Sequence, residues 1–87
     1  MPLVKKKVIV KNSQGLYARP AAAFVQLASK FNSNVTLRRD SQEVNGKSIM
    51  GILMLAAEKD SEIHIIAEGD DAQEAVNELE ELVNKNE

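Results

Sequence analysis

The chain of 87 residues carries 44% hydrophobic and 28% charged side chains, no cysteine and a net charge of −2. Its length predicts a single domain over residues 1–87 with a thin core, which leaves little room for a deep enzyme pocket, and the missing cysteines exclude disulfides and thiolate metal sites. The net negative charge argues against direct nucleic-acid binding, so we expect partners that are proteins. There is neither an apolar run of roughly 20 residues for a membrane span nor a secretion signal, so we expect a cytoplasmic protein.

The first two elements are predicted to be a strand and a helix. Alternating valines give the strand one inward face, and a turn at residues 12–15 leads to a helix from about Tyr17 to Phe31. Pro20 falls in the first helical turn, where a missing N–H is tolerated. The predicted inward residues are Val4, Val8 and Val10 in the strand and Ala21, Phe24, Val25 and Ala28 in the helix.

A hairpin and a short helix are expected next. Residues 35–38 alternate as a second strand, and residues 43–45 return as a third after a polar turn. Ser48 is suited to be the N-cap of a helix, because its hydroxyl can accept a bond from a free N–H two or three residues further on. The following run contains no polar residue, and helical spacing assigns Ile52 and Met54 inward.

The last predicted elements are a strand and an amphipathic helix. Alternation places His64 on the outward face of the strand, and Ile9 and Ile66 share that outward parity and are expected to pack against each other. Asp70 and Gln73 resemble a capping box for the helix. The predicted inward residues are Ile63, Ile65 and Ala67 in the strand, residues 62–68, and Ala72, Ala75, Val76, Leu79, Leu82 and Val83 in the helix.

The order strand, helix, strand, strand, helix, strand, helix predicts an α+β fold. Each amphipathic helix needs an apolar surface, so three helices are expected to cover one face of a four-stranded sheet. The other face is then open to water. The side chains expected on that open face are Lys5, Lys7, Lys11, Thr36 and Arg38.

No set of residues for catalysis or metal binding is evident, since the chain has one histidine and no cysteine, and we expect no cofactor. Residues 46–48 mimic the end of a phosphate-binding P-loop, but Ser41 stands where that loop needs a glycine. His64 has no acidic or second imidazole partner nearby in the sequence. We therefore expect an exposed, structural role for it.

Two helix starts are candidate binding sites, because free N–H groups and the helix dipole attract anions there. The first carries Arg19, whose guanidinium can hold a phosphate or carboxylate through two bonds. The second carries Ser48, where a phosphate would add about −1.5 to −2 charges and create an acceptor for a partner's cation. The residues alone are also consistent with plainer roles, a cap for Ser48 and a surface charge for Arg19.

Two long segments resemble the motifs of the HPr-like proteins of the bacterial sugar phosphotransferase system. GLYARPAA at residues 15–22 resembles the family's active-centre motif, and NGKSIMG at residues 45–51 resembles its regulatory-serine motif. The resemblance covers essentially the whole chain. It implies an open-faced β-sandwich of four antiparallel strands under three helices, in a protein that is not an enzyme.

One position departs from the family pattern. The resemblance implies that a histidine accepts phosphate from enzyme I and passes it to enzyme II components, but Tyr17 occupies that position, with Arg19 at the phosphate-binding position. A phenol, with an ordinary pKa of about 10, is rarely ionised at neutral pH, and its phosphate ester is stable. The phosphate relay is therefore expected to be lost, which is similar to the Crh branch of the family.

That similarity implies a regulatory protein of carbon catabolite repression, in which HPr kinase/phosphorylase modifies Ser48 and the phosphorylated form binds catabolite control protein A. The implied docking surface combines apolar and cationic side chains. It consists of Tyr17, Arg19, Ala22, Lys47, Ile49, Met50 and Leu53.

Two alternatives remain open at this stage. The first is a phosphocarrier whose relay is impaired by Tyr17 and whose partners are enzyme I and enzyme II components. The second is an interaction module that binds an acidic partner through Tyr17 and Arg19 without any phosphorylation.

Overall fold

The computed structural model describes residues 2–85, which form one antiparallel sheet covered on one face by three helices. The strands are β1 (Leu3–Ile9), β2 (Asn34–Arg39), β3 (Gln42–Asn45) and β4 (Glu62–Glu68), in the spatial order β1-β4-β2-β3. The helices are α1 (Ala18–Ala28), α2 (Ile49–Leu55) and α3 (Ala72–Asn84). The predicted element order and fold class are confirmed. None of these helices is long and apolar enough to cross a membrane.

Alternation along the strands places one apolar face of the sheet under the helices. Ile65 of β4 and Leu37 of β2 are fully buried and belong to the same core cluster as Phe24 of α1 and Leu79 of α3. Burial of side chains of this size contributes roughly 1.5–3 kcal/mol each. The inward faces predicted for the strands and for α1 and α3 are confirmed. The predicted inward residues that are only half-buried, at the edge of the core, are Val4, Val25 and Leu82.

The open face of the sheet carries His64, in a row with Lys7 on β1 and Arg38 on β2. The predicted outward orientation is confirmed, but His64 is half-buried rather than exposed. Its Nδ1 atom and the Nε atom of Arg38 are enclosed and have no hydrogen-bond partner within residues 2–85. A strand pattern predicts the face on which a side chain lies, but not how far its neighbours bury it.

The expected contact between Ile9 and Ile66 is wrong. The β1–β4 register sets Ile9 opposite Glu62 and Ile66 opposite Lys5, so the two isoleucines lie far apart along the ladder. Parity correctly gave both residues the same face. It could not give the register, which depends on how the whole strands align.

Helix α1 ends at Ala28, short of the Phe31 expected from the sequence. After Ala28 the chain tightens into turns, in which the Lys30 N–H donates to the Leu27 carbonyl and the Phe31 N–H donates to the Ala28 carbonyl. Such bonds between residues three apart commonly close an α-helix. Phe31 is nevertheless buried, so the apolar pattern continues beyond the helix.

The capping box predicted for α3 from Asp70 and Gln73 is wrong. The N-cap residue is Asp71, and its side chain makes no capping bond. Instead, its carboxylate accepts the N–H groups of Asn32 and Ser33, at 2.8 and 2.9 Å, and also the Ser33 hydroxyl. Bonds from the Ser33 hydroxyl and the Asn32 N–H hold the pKa of Asp71 below its ordinary value. Asp71 thereby joins the start of α3 to the loop that follows α1.

Candidate functional site

The first helix start lies at the head of α1, where Tyr17 is the N-cap residue. Its carbonyl accepts the Ala21 N–H at 2.9 Å, but its side chain makes no capping bond. Pro20 has no N–H to satisfy. Among the described residues, the N–H groups of Ala18 and Arg19 are therefore left without an acceptor.

An open cleft of about 300 Å³ adjoins this helix start. The loop after β1, the first turns of α1 and the end of α3 line it. The lining side chains include Asn12, Tyr17, Arg19, Ala23, Leu82 and Lys85. Neither Arg19 nor Lys85 forms an ion pair within residues 2–85. Two cations that have no ion-pair partner in this described range, beside free N–H groups, make the cleft suited to an anion.

The glycine of the first motif fixes how this loop approaches its neighbours. Gly15 has a φ of +75°, and a Cβ atom there would stand 2.4 Å from the Ala57 carbonyl oxygen. The next residue, Leu16, is buried and donates its N–H to the same carbonyl at 2.8 Å. The first helix start is thus tied to the loop that follows α2, and only glycine fits the contact.

The second helix start is capped as predicted. Ser48 is the N-cap residue of α2, with extended backbone angles, and its Oγ accepts the Gly51 N–H at 3.1 Å. The residue is half-buried, and no acidic side chain lies in the first turn of the helix. This arrangement places a hydroxyl where a negative group would meet helix N–H groups and no like charge on its own helix.

Exposed apolar side chains of α2 form a surface that we call the α2 patch, made of Ile49, Met50 and Met54. Their exposed fractions are 42%, 67% and 68%. The inward assignment of Met54 is wrong, whereas that of Ile52 is confirmed. Successive helix residues rotate by about 100°, so Met54 lies across the helix from Ile52. No polar residue in this run marks which face of the helix turns outward, so the sequence carries no clear signal for it.

The remaining residues of the predicted docking surface differ in exposure. Tyr17 is 36% exposed on the edge of α1, which packs against α2, and Ala22 and Leu53 are half-buried. Lys47 is engaged within the chain, since its Nζ donates to the Phe31 carbonyl at 2.8 Å. In this structure Lys47 therefore links the loop before Ser48 to the turn that follows α1, and its contact with a partner stays a prediction.

The far end of α2 is held by side chains that sequence reasoning missed. Arg39 Nη1 donates to the carbonyls of Leu55 and Ala56, at 3.2 and 2.8 Å, and Gln42 Nε2 donates to the carbonyl of Met54 at 3.3 Å. Arg39 and Gln42 face each other at the turn of the β2–β3 hairpin. The hairpin therefore satisfies the last carbonyls of α2, a contact between distant segments that no local pattern signals.

The antiparallel sheet, the three helices on one face and the two helix starts define an open-faced α+β sandwich of the phosphocarrier type. The PTS-HPr family, described as "PTS HPr component phosphorylation site", matches residues 4–85. The chain is 49% identical over 77 residues to the HPr-like protein Crh of Bacillus subtilis, across 88% of this chain and 91% of that protein. It is 46% identical over 80 residues to the phosphocarrier protein HPr of Treponema pallidum, across 92% and 91% of the two chains.

A solved structure gives the same assignment. The crystal structure of a phosphocarrier protein HPr from Bacillus anthracis matches with a TM-score of 0.91 and 46% identity, over 95% of this chain and 99% of that one. The chain belongs to the HPr family of the phosphotransferase system. Members of this family are phosphocarrier proteins and not enzymes, so the resemblance, the fold and the non-enzymatic class predicted from the sequence are confirmed.

Proposed function

We propose that this protein is a cytoplasmic, regulatory member of the HPr family, similar to Crh, that acts in carbon catabolite repression. HPr kinase/phosphorylase phosphorylates Ser48, and the phosphorylated form binds catabolite control protein A. The observation that carries the proposal is the start of α2, where the Ser48 hydroxyl caps a helix whose adjacent side chains Ile49 and Met50 face solvent.

The position of Ser48 supports phosphorylation as a switch. Its Oγ already receives the Gly51 N–H, so a phosphate there would have a helix N–H as a donor. It would add about −1.5 to −2 charges at the positive end of the helix dipole, which stabilises the helix start. The outer phosphate oxygens would remain available to an arginine or lysine of the partner.

The α2 patch supports protein recognition beside that charge. Methionine side chains are flexible and polarisable, and they adapt to different apolar surfaces. Binding energy at protein interfaces concentrates in a few such buried anchors, with polar groups around them. Met50 and Met54 would supply the apolar anchors, and phosphorylated Ser48 the charged contact.

The surroundings of Tyr17 support the loss of the phosphate relay. A phenol becomes a useful nucleophile only when a base removes its proton. Among the described residues, no carboxylate or imidazole lines the cleft beside Tyr17. His64 lies on the open face of the sheet, away from the helices, and so it is not placed to accept the proton or the phosphate.

A kinase assay tests the proposal directly. The protein is incubated with ATP and HPr kinase, and intact mass spectrometry should show the addition of one phosphate. Ser48→Ala should prevent the addition. Ser61→Ala is the matched control, because Ser61 is also half-buried and its Oγ accepts a backbone N–H, that of Glu58, at 3.0 Å. A wild-type protein that remains unmodified would overturn the proposal.

Partner binding separates regulation from passive docking. The affinity for catabolite control protein A is measured by calorimetry before and after phosphorylation, and only the phosphorylated form should bind tightly. Equal affinity of both forms would favour the interaction module, in which Tyr17 and Arg19 bind an acidic partner without a switch.

A phosphocarrier is the second candidate function, favoured by the cleft in which Arg19 and Lys85 stand beside an open helix start. Incubation with enzyme I and labelled phosphoenolpyruvate distinguishes the two. Acid-labile label on the protein would support the carrier, and its absence would support the regulator.

A further inference from the structure

The dipeptide Asn45–Gly46 lies at the end of β3, three positions before Ser48. An asparagine amide carbon can be attacked by the backbone nitrogen of the following residue, and glycine hinders that attack least because it has no side chain. The Gly46 nitrogen would bond to Asn45 Cγ and lose its proton while ammonia leaves, which closes a succinimide ring. Water then opens the ring at either carbonyl and gives aspartate or isoaspartate.

One hydrogen bond activates the amide carbon. Asn45 is exposed, and its Oδ1 accepts the Lys47 N–H at 2.8 Å. A donor at the carbonyl oxygen withdraws electron density from Cγ and stabilises the oxygen charge that develops during attack. This bond would favour attack on Cγ whenever the Gly46 nitrogen is released.

A second hydrogen bond restrains the attacking nitrogen. The Gly46 N–H donates to the Val35 carbonyl at 2.8 Å, so its proton and its direction are both fixed. This bond lies beyond Thr36 and Asn45, the last pair of the β2–β3 register at that end. Bonds at the ends of a ladder open more often than those within it. The reaction can proceed only in the fraction of molecules in which this bond is open.

Packing explains why a glycine occupies such a labile position. Gly46 is buried, and a Cβ atom there would stand 2.6 Å from Val35 Cγ1 and 3.1 Å from the Val35 carbonyl oxygen. A larger residue would push the start of the Ser48 loop away from β2. The glycine that the close approach requires is also the residue that leaves Asn45 open to attack.

We propose that Asn45 is a spontaneous deamidation site and that the Gly46–Val35 hydrogen bond controls its rate. The products carry one additional negative charge beside the loop that presents Ser48. Isoaspartate also lengthens the backbone by one carbon, which disturbs the bond from the Ser48 N–H to the Asn45 carbonyl, now 3.1 Å long.

Peptide mapping tests the chemistry on the full chain. The native and the urea-unfolded protein are incubated at mildly alkaline pH, and mass spectrometry follows conversion at each asparagine. In urea, Asn45 should convert faster than Asn12 and Asn32, which precede serines. In the native protein its conversion should be slower by about tenfold or more, because the terminal ladder bond is mostly closed. Asn45→Gln should remove the product at this position.

Hydrogen exchange tests the control of the rate. The factor by which folding slows conversion of Asn45 should equal the protection factor of the Gly46 N–H within about threefold, because both measure the same opening. The proposal is overturned if Asn45 in urea is no faster than the other two asparagines, or if native conversion matches the unfolded rate despite a protected Gly46 N–H.

The effect on Ser48 rests on the proposed function. The acidic form is separated by anion exchange and offered to HPr kinase with ATP, where it should be phosphorylated more slowly than the unconverted protein. Equal rates would remove this consequence. If neither form is phosphorylated, the proposed function of Ser48 fails, while the measured deamidation of Asn45 stands.

Discussion

The two helix starts of this protein differ in whether a side chain accepts their free N–H groups. At α1, Tyr17 provides no side-chain cap, and free N–H groups adjoin a cleft with Arg19 and Lys85. At α2, the Ser48 hydroxyl already accepts a helix N–H. The first start is suited to an anion that arrives from outside, whereas the second presents its own oxygen atom and changes only when that atom is modified. If the proposed function holds, the two starts would accept negative charge from different sources, a bound anion at α1 and a modified side chain at α2.

The two helices are also anchored differently. Contacts around the end of α1 hold it in place, because Lys47 binds the Phe31 carbonyl and Asp71 binds the loop that follows. Helix α2 is fixed at both ends, by Ser48 and by Arg39 of the hairpin. Substitutions at these residues should therefore change the stability or the activity of one helix start without changing the other.

The largest expected effect is a gain of activity at the first start. Tyr17→His replaces a phenol by an imidazole, whose neutral form is a nucleophile at neutral pH. With enzyme I and labelled phosphoenolpyruvate, we expect acid-labile label on Tyr17→His and none on wild type or on the matched variant Tyr17→Phe. An unlabelled Tyr17→His would mean that the start of α1 is not a carrier position.

The next effect is on stability at the same start. Gly15→Ala places an alanine in the left-handed backbone conformation of residue 15, which costs roughly 1–2 kcal/mol. Its Cβ atom would also overlap with the Ala57 carbonyl oxygen. We expect the free energy of unfolding in urea to fall by about 2 kcal/mol or more. Phosphorylation of Ser48 in the folded protein should continue. A loss under about 1 kcal/mol would show that the loop moves away easily.

The anchor beyond the end of α1 should respond to pH. The pKa of Asp71 is lowered by the fold, so its stabilising contribution is full above the ordinary carboxyl pKa of about 4 and is lost as the pH falls through the folded value. Asp71→Asn should therefore be less stable than wild type at neutral pH. The difference between the two, measured by urea unfolding, should shrink in acid. A constant difference across the range would contradict this role.

The smallest expected effect concerns the stability that Ser48 contributes as the N-cap of α2, apart from its proposed phosphorylation. Ser48→Ala should lower the free energy of unfolding by about 1 kcal/mol, because the Gly51 N–H loses its acceptor. Ser48→Asp should retain most of the stability, since aspartate is also a good N-cap. Thermal and urea unfolding check both variants. Equal stability of wild type and Ser48→Ala would show that solvent satisfies the helix start equally well.

Local patterns in the sequence were sufficient to predict the order of strands and helices and the sheet face to which each strand residue belongs. Alternation identified β4 with its observed bounds, and hydroxyl chemistry identified Ser48 as a cap. Each of these patterns involves residues only a few positions apart, for which backbone geometry dictates the spacing. The two candidate helix starts followed from the same reasoning.

Contacts between distant segments could not be predicted in this way. The carboxylate of Asp71 binds the loop after α1, from which it is separated in the chain by β2, β3, α2 and β4. Arg39 also reaches across to the end of α2. The register that parts Ile9 from Ile66 is likewise set by whole strands. In the uniformly apolar run of α2, no polar residue marked the outer face, so Met54 was assigned to the wrong side.

The strand order has a consequence for how the chain folds as it is synthesised. Among the four described strands, β1 pairs only with β4, and Leu3 lies opposite Glu68, so β1 must wait for β4 before its ladder can close. The β2–β3 hairpin, whose partners are close in sequence, can form much earlier. A nascent chain on the ribosome therefore exposes an unpaired β1 until β4 has emerged.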